Sequence, residues 1–353
     1  MAAKFIAYGK VAEWLGELAK ARQVLVPVLE RDAVVFRPYA ADVRLALDRH
    51  ANVPPKAPIF PATERLLSFK YVKNPQDLGQ VAVEVHETVK PAPTVVFGGR
   101  PCDARGFTIF DRVYDGKGIK DPYYIARREQ TLFVTIACLD PENACFCHMV
   151  GSSPSDAEGS DVLLTPVKDG YLVEDVSKRG KELVASKLLT DGKAKTKEAQ
   201  AVKDAARAAL GDACDISKAP AKLLEKFDDL DFWEDVSGKC ISCGACTYLC
   251  PTCYCFNITD ERFGMKGERI RTWDNCMSFQ FTLEASGHNP RPTKAHRLKN
   301  RVGHKFSYYP DINGGVFSCC GCGRCIKLCP ASVDIREIVR LAIEREASKP
   351  EKP

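Results

Sequence analysis

One cysteine pattern occurs twice in this chain of 353 residues. The first copy runs from Cys240 to Cys250 and the second from Cys319 to Cys329, and each copy is followed by a proline. Both copies have the spacing C-x2-C-x2-C-x3-C-P. This spacing is typical of loops that bind [4Fe–4S] clusters, because three closely spaced thiolates surround one cluster while the fourth reaches a second cluster. The repeat therefore predicts two clusters that share ligands between the copies.

The exchange of ligands between the copies assigns eight cysteines. Cluster A takes Cys240, Cys243, Cys246 and Cys329, and cluster B takes Cys319, Cys322, Cys325 and Cys250. Gly244, Gly321 and Gly323 allow the backbone to approach the clusters closely. The alternative is structural zinc, which usually takes its four ligands from two separated C-x2-4-C pairs. Four cysteines followed by proline, present twice, favour the iron–sulfur interpretation.

A long insertion separates the two copies. It leaves 68 residues between Cys250 and Cys319, whereas compact two-cluster ferredoxins have a short link. The insertion, residues 252–318, adds Cys253, Cys255 and Cys276. We consider these three as candidate ligands of an incompletely coordinated group, or as residues that shield the two clusters. Cys320 is expected to pack against its neighbours or to make a thiol hydrogen bond.

The preceding part of the chain predicts an α/β domain, residues 1–235. Apolar runs such as Thr94–Phe97 and Thr131–Ala137 are typical of buried strands, and they alternate with helical patterns. Ser177–Leu210 has the composition of one or two solvated helices. An acidic and aromatic stretch then leads into a second domain, residues 236–353. The predicted fold class is an α/β N-terminal domain plus an α+β, ferredoxin-like C-terminal domain with two [4Fe–4S] clusters and a long insertion between the motifs.

Four cysteines of the first domain lie close to the ends of its predicted strands. Cys102 follows a Gly-Gly turn, Cys138 ends a strand, and Cys145 and Cys147 lie within the next nine residues. Residues that follow the carboxyl ends of strands in an α/β sheet meet in one crevice. Four thiolates suffice for a third [4Fe–4S] cluster, so we name this set the third site. Structural zinc and simple packing of buried thiols are the alternatives.

Composition and charge exclude several classes of protein. The net charge of +5 is mild, so a nucleic-acid partner is not expected. The densest apolar run, Thr131–Leu139, is much shorter than the roughly 20 residues of a membrane span. The first ten residues lack the apolar core of a signal peptide, which predicts a cytoplasmic protein without a membrane partner. Of the 17 cysteines, 12 lie in the last 114 positions, and in a reducing compartment such clusters favour metal or redox chemistry.

Motifs for nucleotide, flavin and hydrolytic chemistry are missing from the sequence. No G-x-G-x-x-G follows a strand, and no P-loop, H-E-x-x-H or G-x-S-x-G occurs. We therefore expect no catalytic residue and no nucleotide-binding or flavin-binding residue in this chain. The chain is expected to carry electrons for a catalytic partner.

Further motifs along nearly the whole chain carry a family resemblance. They are Gly98-Gly99-Arg100-Pro101-Cys102-Asp103, Asp121-Pro-Tyr-Tyr with Arg127-Arg128, Cys145-Phe146-Cys147, Cys250-Pro-Thr-Cys253-Tyr-Cys255-Phe256, Trp273-Asp274-Asn275-Cys276 and Gly287-His288-Asn289-Pro290-Arg291. Together they resemble the iron–sulfur β subunits of cytoplasmic NAD(P)-linked NiFe hydrogenases (sulfhydrogenases). They also resemble the ferredoxin-like subunit of flavin oxidoreductases that feed heterodisulfide reductase, and the corresponding iron–sulfur subunit of anaerobic sulfite reductase.

The resemblance implies a non-catalytic electron-transfer subunit of an anaerobic oxidoreductase complex. A partner subunit with FAD and a [2Fe–2S] centre would exchange electrons with NAD(P)H. This chain would relay them to or from a catalytic subunit of the NiFe hydrogenase or heterodisulfide reductase type. The resemblance also implies a ligand role for the four cysteines of the third site. His148–Pro154 departs from the Ser-Met-Gly run of the hydrogenase members, so the catalytic partner stays open.

Two other functions are compatible with the residues. A reductase subunit would bind substrate at an open cluster held by Cys253, Cys255 and Cys276. An iron–sulfur regulatory protein would bind nucleic acid through the basic stretch Arg291–Lys305 and the Lys-rich stretch Ser177–Arg207. Multiple cluster motifs without a substrate motif favour the relay subunit over both.

Overall fold

The computed structural model describes residues 3–77 and 79–346. The strands are β1 (Ala3–Ala7), β2 (Gln23–Glu30), β3 (Ala33–Pro38), β4 (Thr63–Lys73), β5 (Val81–Glu87), β6 (Thr94–Gly99), β7 (Thr131–Ile136), β8 (Val162–Val167), β9 (Gly170–Asp175), β10 (Thr190–Asp191), β11 (Phe256–Phe263) and β12 (Lys266–Trp273). The helices are α1 (Val11–Ala19), α2 (Pro101–Tyr114), α3 (Pro122–Gln130), α4 (Gly180–Leu183), α5 (Thr196–Ala208), α6 (Ala219–Glu225), α7 (Leu230–Ser237), α8 (Ala245–Tyr248), α9 (Lys294–Gly303), α10 (Tyr309–Ile312), α11 (Arg324–Lys327) and α12 (Ile335–Glu344). A π-helical turn, His304–Tyr308, continues α9.

Eight strands of the N-terminal part form one mixed sheet. Their order is β10-β1-β9-β8-β7-β6-β2-β3, and the neighbours β2, β6, β7 and β8 are parallel. Every residue of β6 and β7 is buried, as expected for parallel strands that are covered on both faces. The mixed α/β content agrees with the class that the sequence predicts.

Helices cover both faces of the eight-stranded sheet. Trp14 of α1 packs edge-on against Phe97 on one face, with 5.4 Å between the ring centroids. Phe107 and Phe110 of α2 lie with Phe133 in the core of the other face. Since β6 leads into α2 and β7 leads into the loop that begins at Cys138, both connections emerge at the same edge of the sheet.

A second sheet joins parts of the chain that are far apart in sequence. Its order is β11-β12-β4-β5, and all neighbouring strands are antiparallel. β4 and β5 belong to the N-terminal part, whereas β11 and β12 belong to the insertion. The sequence does not predict this pairing, because a local pattern indicates a strand but not its partner. The insertion is thereby attached to the N-terminal part of the molecule.

The helices around the cysteine repeats share a separate core. Phe232 and Trp233 of α7 pack there with Leu298 of α9 and Ile338 of α12. α7 crosses the predicted domain boundary between residues 235 and 236, and that boundary stays a prediction. None of the helices in the described ranges combines the length and the apolar character that crossing a bilayer requires.

The stretch Ser177–Leu210 is less helical than its composition indicates. It contains the four-residue helix α4, the short strand β10 and the helix α5. β10 pairs with β1, where Lys4 faces Asp191 and Phe5 faces Thr190. Thr190 and Asp191 thus form an edge strand of the sheet, which the helical composition of this stretch does not indicate.

Candidate metal centres

Both cysteine repeats fold into a loop that ends in a four-residue helix. Gly244 precedes α8 and Gly323 precedes α11, with φ of 77° and 73°. A β-carbon at Gly244 would lie 2.7 Å from the side chain of Asn275, and one at Gly323 would lie 2.6 Å from the carbonyl oxygen of Ala144. The left-handed backbone and the lack of space both require glycine, as the sequence predicts for these two positions.

The four cysteines predicted for cluster A line one cavity that opens to solvent. Cys329 of the second repeat joins three cysteines of the first repeat there, so the exchange of ligands between the copies is geometrically feasible. Cys243 is exposed, whereas the other three are half-buried. Met277, Leu298 and Ile338 line the same cavity. The cavity is therefore apolar around its cysteines and reaches the molecular surface at Cys243.

Backbone amides donate hydrogen bonds to sulfurs of both predicted ligand sets. Such N–H groups stabilise the negative charge of a thiolate and of a cluster bound to it. The bonds run from Ser242 to Cys240 Sγ (3.4 Å), from Val333 to Cys329 Sγ (3.3 Å), from Gly321 to Cys319 Sγ (3.4 Å) and from Thr252 to Cys250 Sγ (3.4 Å). Each predicted ligand set thus has two cysteine sulfurs that accept a hydrogen bond from a backbone amide.

The cysteines predicted for cluster B also lie together. Burial, opposed by the nearby Lys305 and reinforced by the Cys250 sulfur, raises the pKa of Cys319 to about 11. The Cys250 sulfur also acts to raise the pKa of the half-buried Cys322 and Cys325. Cys250 is thus a neighbour of all three cysteines of the second repeat. The pKa values of Cys319 and Cys325 are raised, so these two thiols stay protonated at neutral pH unless a metal takes the place of the proton. The pKa of Cys322 is instead lowered by its neighbour Cys320.

The structure brings the four cysteines of the third site together. Cys102, in the first turn of α2, lines one cavity with Cys138, Cys145 and Cys147. Burial raises the pKa of Cys145 to about 12 and that of Cys147 to about 11. His50, to which the sequence did not point, lies in the same wall with Nε2 3.6 Å from Cys102 Sγ.

The second cysteine repeat packs directly on the loop of the third site. The Phe146 amide donates to the carbonyl oxygen of Gly321 at 2.8 Å. Gly321 and Cys322 line the cavity of the third site beside its own four cysteines. A buried ion pair, Arg324–Asp103 at 2.8 Å, joins α11 to α2. Cysteines separated by about half of the chain therefore face one another across a direct contact.

The three cysteines of the insertion lie beside the predicted cluster ligands. Cys255 and Cys276 are close neighbours, and the Cys255 thiol lowers the pKa of Cys276. Cys253 lies similarly close to Cys250. Cys320 is buried beside Cys322, and its role as a packing or hydrogen-bonding thiol stays a prediction. These thiol contacts suit a shielding layer around the ligands, and a ligand role for Cys253, Cys255 and Cys276 stays a prediction.

Three buried cations that the sequence did not single out face these cysteines. Lys56, Arg301 and Lys305 are only 3%, 4% and 3% exposed. Lys56 Nζ donates to the carbonyl oxygen of Cys253 at 3.0 Å. Arg301 Nη1 lies 3.6 Å from Cys253 Sγ, and Lys305 Nζ lies 3.5 Å from Cys250 Sγ. The fully buried ion pairs found in residues 3–77 and 79–346 join other side chains, among them Lys226–Asp229, Arg271–Glu64 and Arg324–Asp103.

Two of these cations, Arg301 and Lys305, could have been found from a regular spacing of basic residues in the sequence. This spacing runs along α9 and into the turn that follows it. Arg297, Arg301 and Lys305 follow one another at intervals of four, which places them on one helical face. All three are buried. Within the basic stretch Arg291–Lys305, Arg301 and Lys305 face cysteine sulfurs and Arg297 binds backbone carbonyl oxygens, so this buried side of the stretch is not open to nucleic acid.

The donor set fits iron–sulfur clusters better than single metal ions. A zinc ion with Zn–S bonds of about 2.3 Å needs sulfurs within roughly 4 Å of one another. In the described ranges, no three His, Cys, Asp or Glu side chains are arranged to hold one metal ion. A [4Fe–4S] cluster takes one thiolate at each iron, so its ligands are spread more widely. Lys56, Arg301 and Lys305 have no carboxylate partner in the part of the chain that the structure describes, and their charges suit the negative charge of a thiolate-bound cluster.

Comparisons with known proteins agree with this chemistry. Residues 239–333 match the 4Fe-4S dicluster domain family. The chain is 30% identical over 334 residues to the sulfhydrogenase 2 subunit beta of Pyrococcus furiosus, an alignment that covers 91% of this chain and 92% of that subunit. No solved structure matches the chain.

The fold, the paired repeats and the dicluster match define an iron–sulfur electron-transfer subunit with a ferredoxin-like C-terminal domain that binds [4Fe–4S] clusters. Since the similarity to the sulfhydrogenase subunit extends over nearly the whole of both chains, this chain belongs to the family of iron–sulfur β subunits of hydrogenases.

Proposed function

We propose that the chain relays electrons through three [4Fe–4S] clusters between two partner subunits of an anaerobic, cytoplasmic oxidoreductase complex. One partner holds FAD and a [2Fe–2S] centre and exchanges electrons with NAD(P)H. The other is a catalytic subunit of the NiFe hydrogenase or heterodisulfide reductase type. The chain itself supplies no catalytic residue. The observation that carries the proposal is the direct contact between the third site and the second cysteine repeat.

Cluster B occupies the middle of the proposed path. Cys322, a predicted ligand of cluster B, lines the cavity of the third site. Cys325, another predicted ligand of cluster B, lines the cavity of cluster A. Each outer site thus shares a wall with the central one, and within the described ranges no residue lines both outer cavities. The order along the path is third site, cluster B, cluster A.

The ends of this path lie at different parts of the surface. Beside cluster A, Cys243 is exposed and Ile241 is 65% exposed. Beside the third site, Leu139 is 45% exposed next to the half-buried Cys138. Bound clusters supply one-electron storage at each position. The protein contributes the burial, the amide hydrogen bonds and the buried cations that hold charge at the sulfurs.

Selective reduction of the purified chain tests whether it needs a flavoprotein partner to accept electrons from NAD(P)H. The chain with its clusters, alone and under anaerobic conditions, is mixed either with dithionite or with NADH and NADPH. We expect dithionite to bleach the visible absorption of the clusters, whereas the nicotinamides leave it unchanged because the sequence carries no nicotinamide or flavin motif. Rapid bleaching by NADH or NADPH would show that the chain needs no flavoprotein partner and would overturn the proposal.

A further inference from the structure

Lys305 is a buried lysine at the centre of the contacts around Cys250. It lies in the π-helical turn that continues α9, a local geometry that is rare and is often found at functional sites. Its Nζ donates to Thr252 Oγ1 and to the carbonyl oxygen of Ser318, both at 2.9 Å, and lies 3.5 Å from Cys250 Sγ. The turn therefore fixes the ammonium group against one sulfur and two neutral oxygens.

Among residues 3–77 and 79–346, no carboxylate forms an ion pair with Lys305. The groups that act most strongly on it are the sulfurs of Cys250, Cys253 and Cys319, and the guanidinium of Arg301. Transferring an ammonium group from water to a protein interior is costly unless an anion accompanies it. Within the described ranges, the Nζ of Lys305 contacts two neutral oxygens and the sulfur of Cys250. The compensating anion is therefore expected at the cysteine sulfurs.

The three cysteine sets differ in the cations that face them. Arg301 lies beside Cys246 of cluster A as well as Cys325 of cluster B. Near the third site, the charge of Arg324 is balanced by the buried Asp103. Lys305 instead faces Cys250 and Cys319, which both belong to the predicted ligand set of cluster B. Its uncompensated charge thus acts on cluster B more than on the two outer sites.

We propose that Lys305 is a positioning residue that raises the reduction potential of cluster B above the value the cluster would have without this charge. Reduction adds one negative charge to a cluster, and a fixed positive charge nearby at low dielectric stabilises the reduced form. The inference rests on the proposed function, because it takes Cys250, Cys319, Cys322 and Cys325 as the ligands of cluster B.

An EPR-monitored redox titration of the full chain with its clusters tests the role of Lys305. In Lys305→Met, which keeps the length of the side chain without its charge, we expect the reduction equilibrium of one cluster to fall at least tenfold. That change corresponds to about 59 mV for one electron. Lys305→Arg keeps the charge and should restore most of the potential. Lys299→Met removes a charge from the outer part of α9 and should leave all potentials unchanged.

The outcome separates this inference from the proposed function. If Lys305→Met keeps its iron content and every potential is unchanged, the inference is overturned while the relay function stands. If Lys305→Met does not bind its clusters, Lys305→Gln, which retains a donor for Thr252 and Ser318, is titrated under the same criterion. Wild-type protein that shows no [4Fe–4S] signal from the second repeat would overturn the proposed function itself, and this inference with it.

Discussion

Gly321 occupies a position where the two halves of the molecule touch with no space for a side chain. Its φ is 65°, and a β-carbon there would lie 2.5 Å from both N and Cα of Cys147. A side chain at this residue therefore has to displace the loop that carries two cysteines of the third site. The same residue donates its amide to Cys319 Sγ.

Replacing Gly321 by alanine should damage the third site and cluster B together. The left-handed backbone alone costs about 1–3 kcal/mol for a residue other than glycine, and the collision with Cys147 adds to it. We expect Gly321→Ala to lower both the stability and the iron content. Gly211→Ala is the matched control, since Gly211 has a φ of 70° with open space around it. Equal iron loss in the two variants would show that the contact with Cys147 is unimportant.

His304 makes the stability of the folded chain depend on pH. Burial, with Lys305 and Arg301 nearby, lowers the pKa of His304 to about 4 from a usual value of 6.5. Its Nε2 lies 3.0 Å from the Tyr254 hydroxyl. Since the unfolded chain binds the proton first, this contribution is present above pH 6.5 and is lost as the pH falls toward 4.

The variant His304→Asn should remove part of this pH dependence. A shift of this size corresponds to about 3 kcal/mol between pH 6.5 and pH 4, because one pKa unit is about 1.4 kcal/mol. The measurement compares urea midpoints at pH 7 and pH 5 in the variant and in the wild type. His86→Asn, at an exposed strand position, should keep the wild-type dependence. Identical pH profiles for His304→Asn and the wild type would contradict the assignment.

At the scale of elements, β4, β12 and α3 meet at one buried group of charges. Glu64 of β4 is 1% exposed at its side chain and pairs with Arg271 of β12 at 2.5 Å. It also contacts Arg127 of α3, while Arg271 reaches Asp121 at the start of α3 at 2.5 Å. This network fixes the insertion to the N-terminal part of the chain.

Replacing Glu64 by glutamine should weaken that attachment strongly. Removing one partner of a buried pair leaves an uncompensated charge and typically costs about 3–5 kcal/mol. We expect a correspondingly lower urea midpoint for Glu64→Gln in protein of full iron content. Asp260→Asn breaks the exposed pair with Arg269 in the same sheet and should have little effect. Equal effects of the two substitutions would show that the buried network does not hold the sheet together.

The sequence predicts contacts between elements when the signal for them is local. It does not predict contacts between residues that are far apart along the chain. Strand patterns and local cysteine spacing indicated that the residues after β6 and β7 would meet, and the cavity around Cys102 and Cys138 agrees. The pairing of Glu64 with Arg271 spans 207 residues, and no local pattern encodes it. The inward face of α9 was missed for a different reason, since basic residues are normally placed at the surface.

At the scale of the whole molecule, one chain holds three cysteine sets in contact. The second repeat touches both outer sets, through Cys322 at the third site and through Cys325 at cluster A. In the proposed arrangement the long insertion has a physical role, because it supplies the buried cations Arg301, beside Cys253, and Lys305, beside Cys250. Partners would then dock at different surfaces, near Ile241 and near Leu139.

Iron and acid-labile sulfide per chain, measured on anaerobically prepared protein, test the three-cluster arrangement most directly. We expect about 12 irons for three clusters, and about four fewer in Cys145→Ser. Cys214→Ser, at an exposed cysteine outside the three sets, should keep the wild-type value. About 8 irons in a folded wild-type chain, unchanged in Cys145→Ser, would contradict this arrangement and leave only the two clusters of the cysteine repeats.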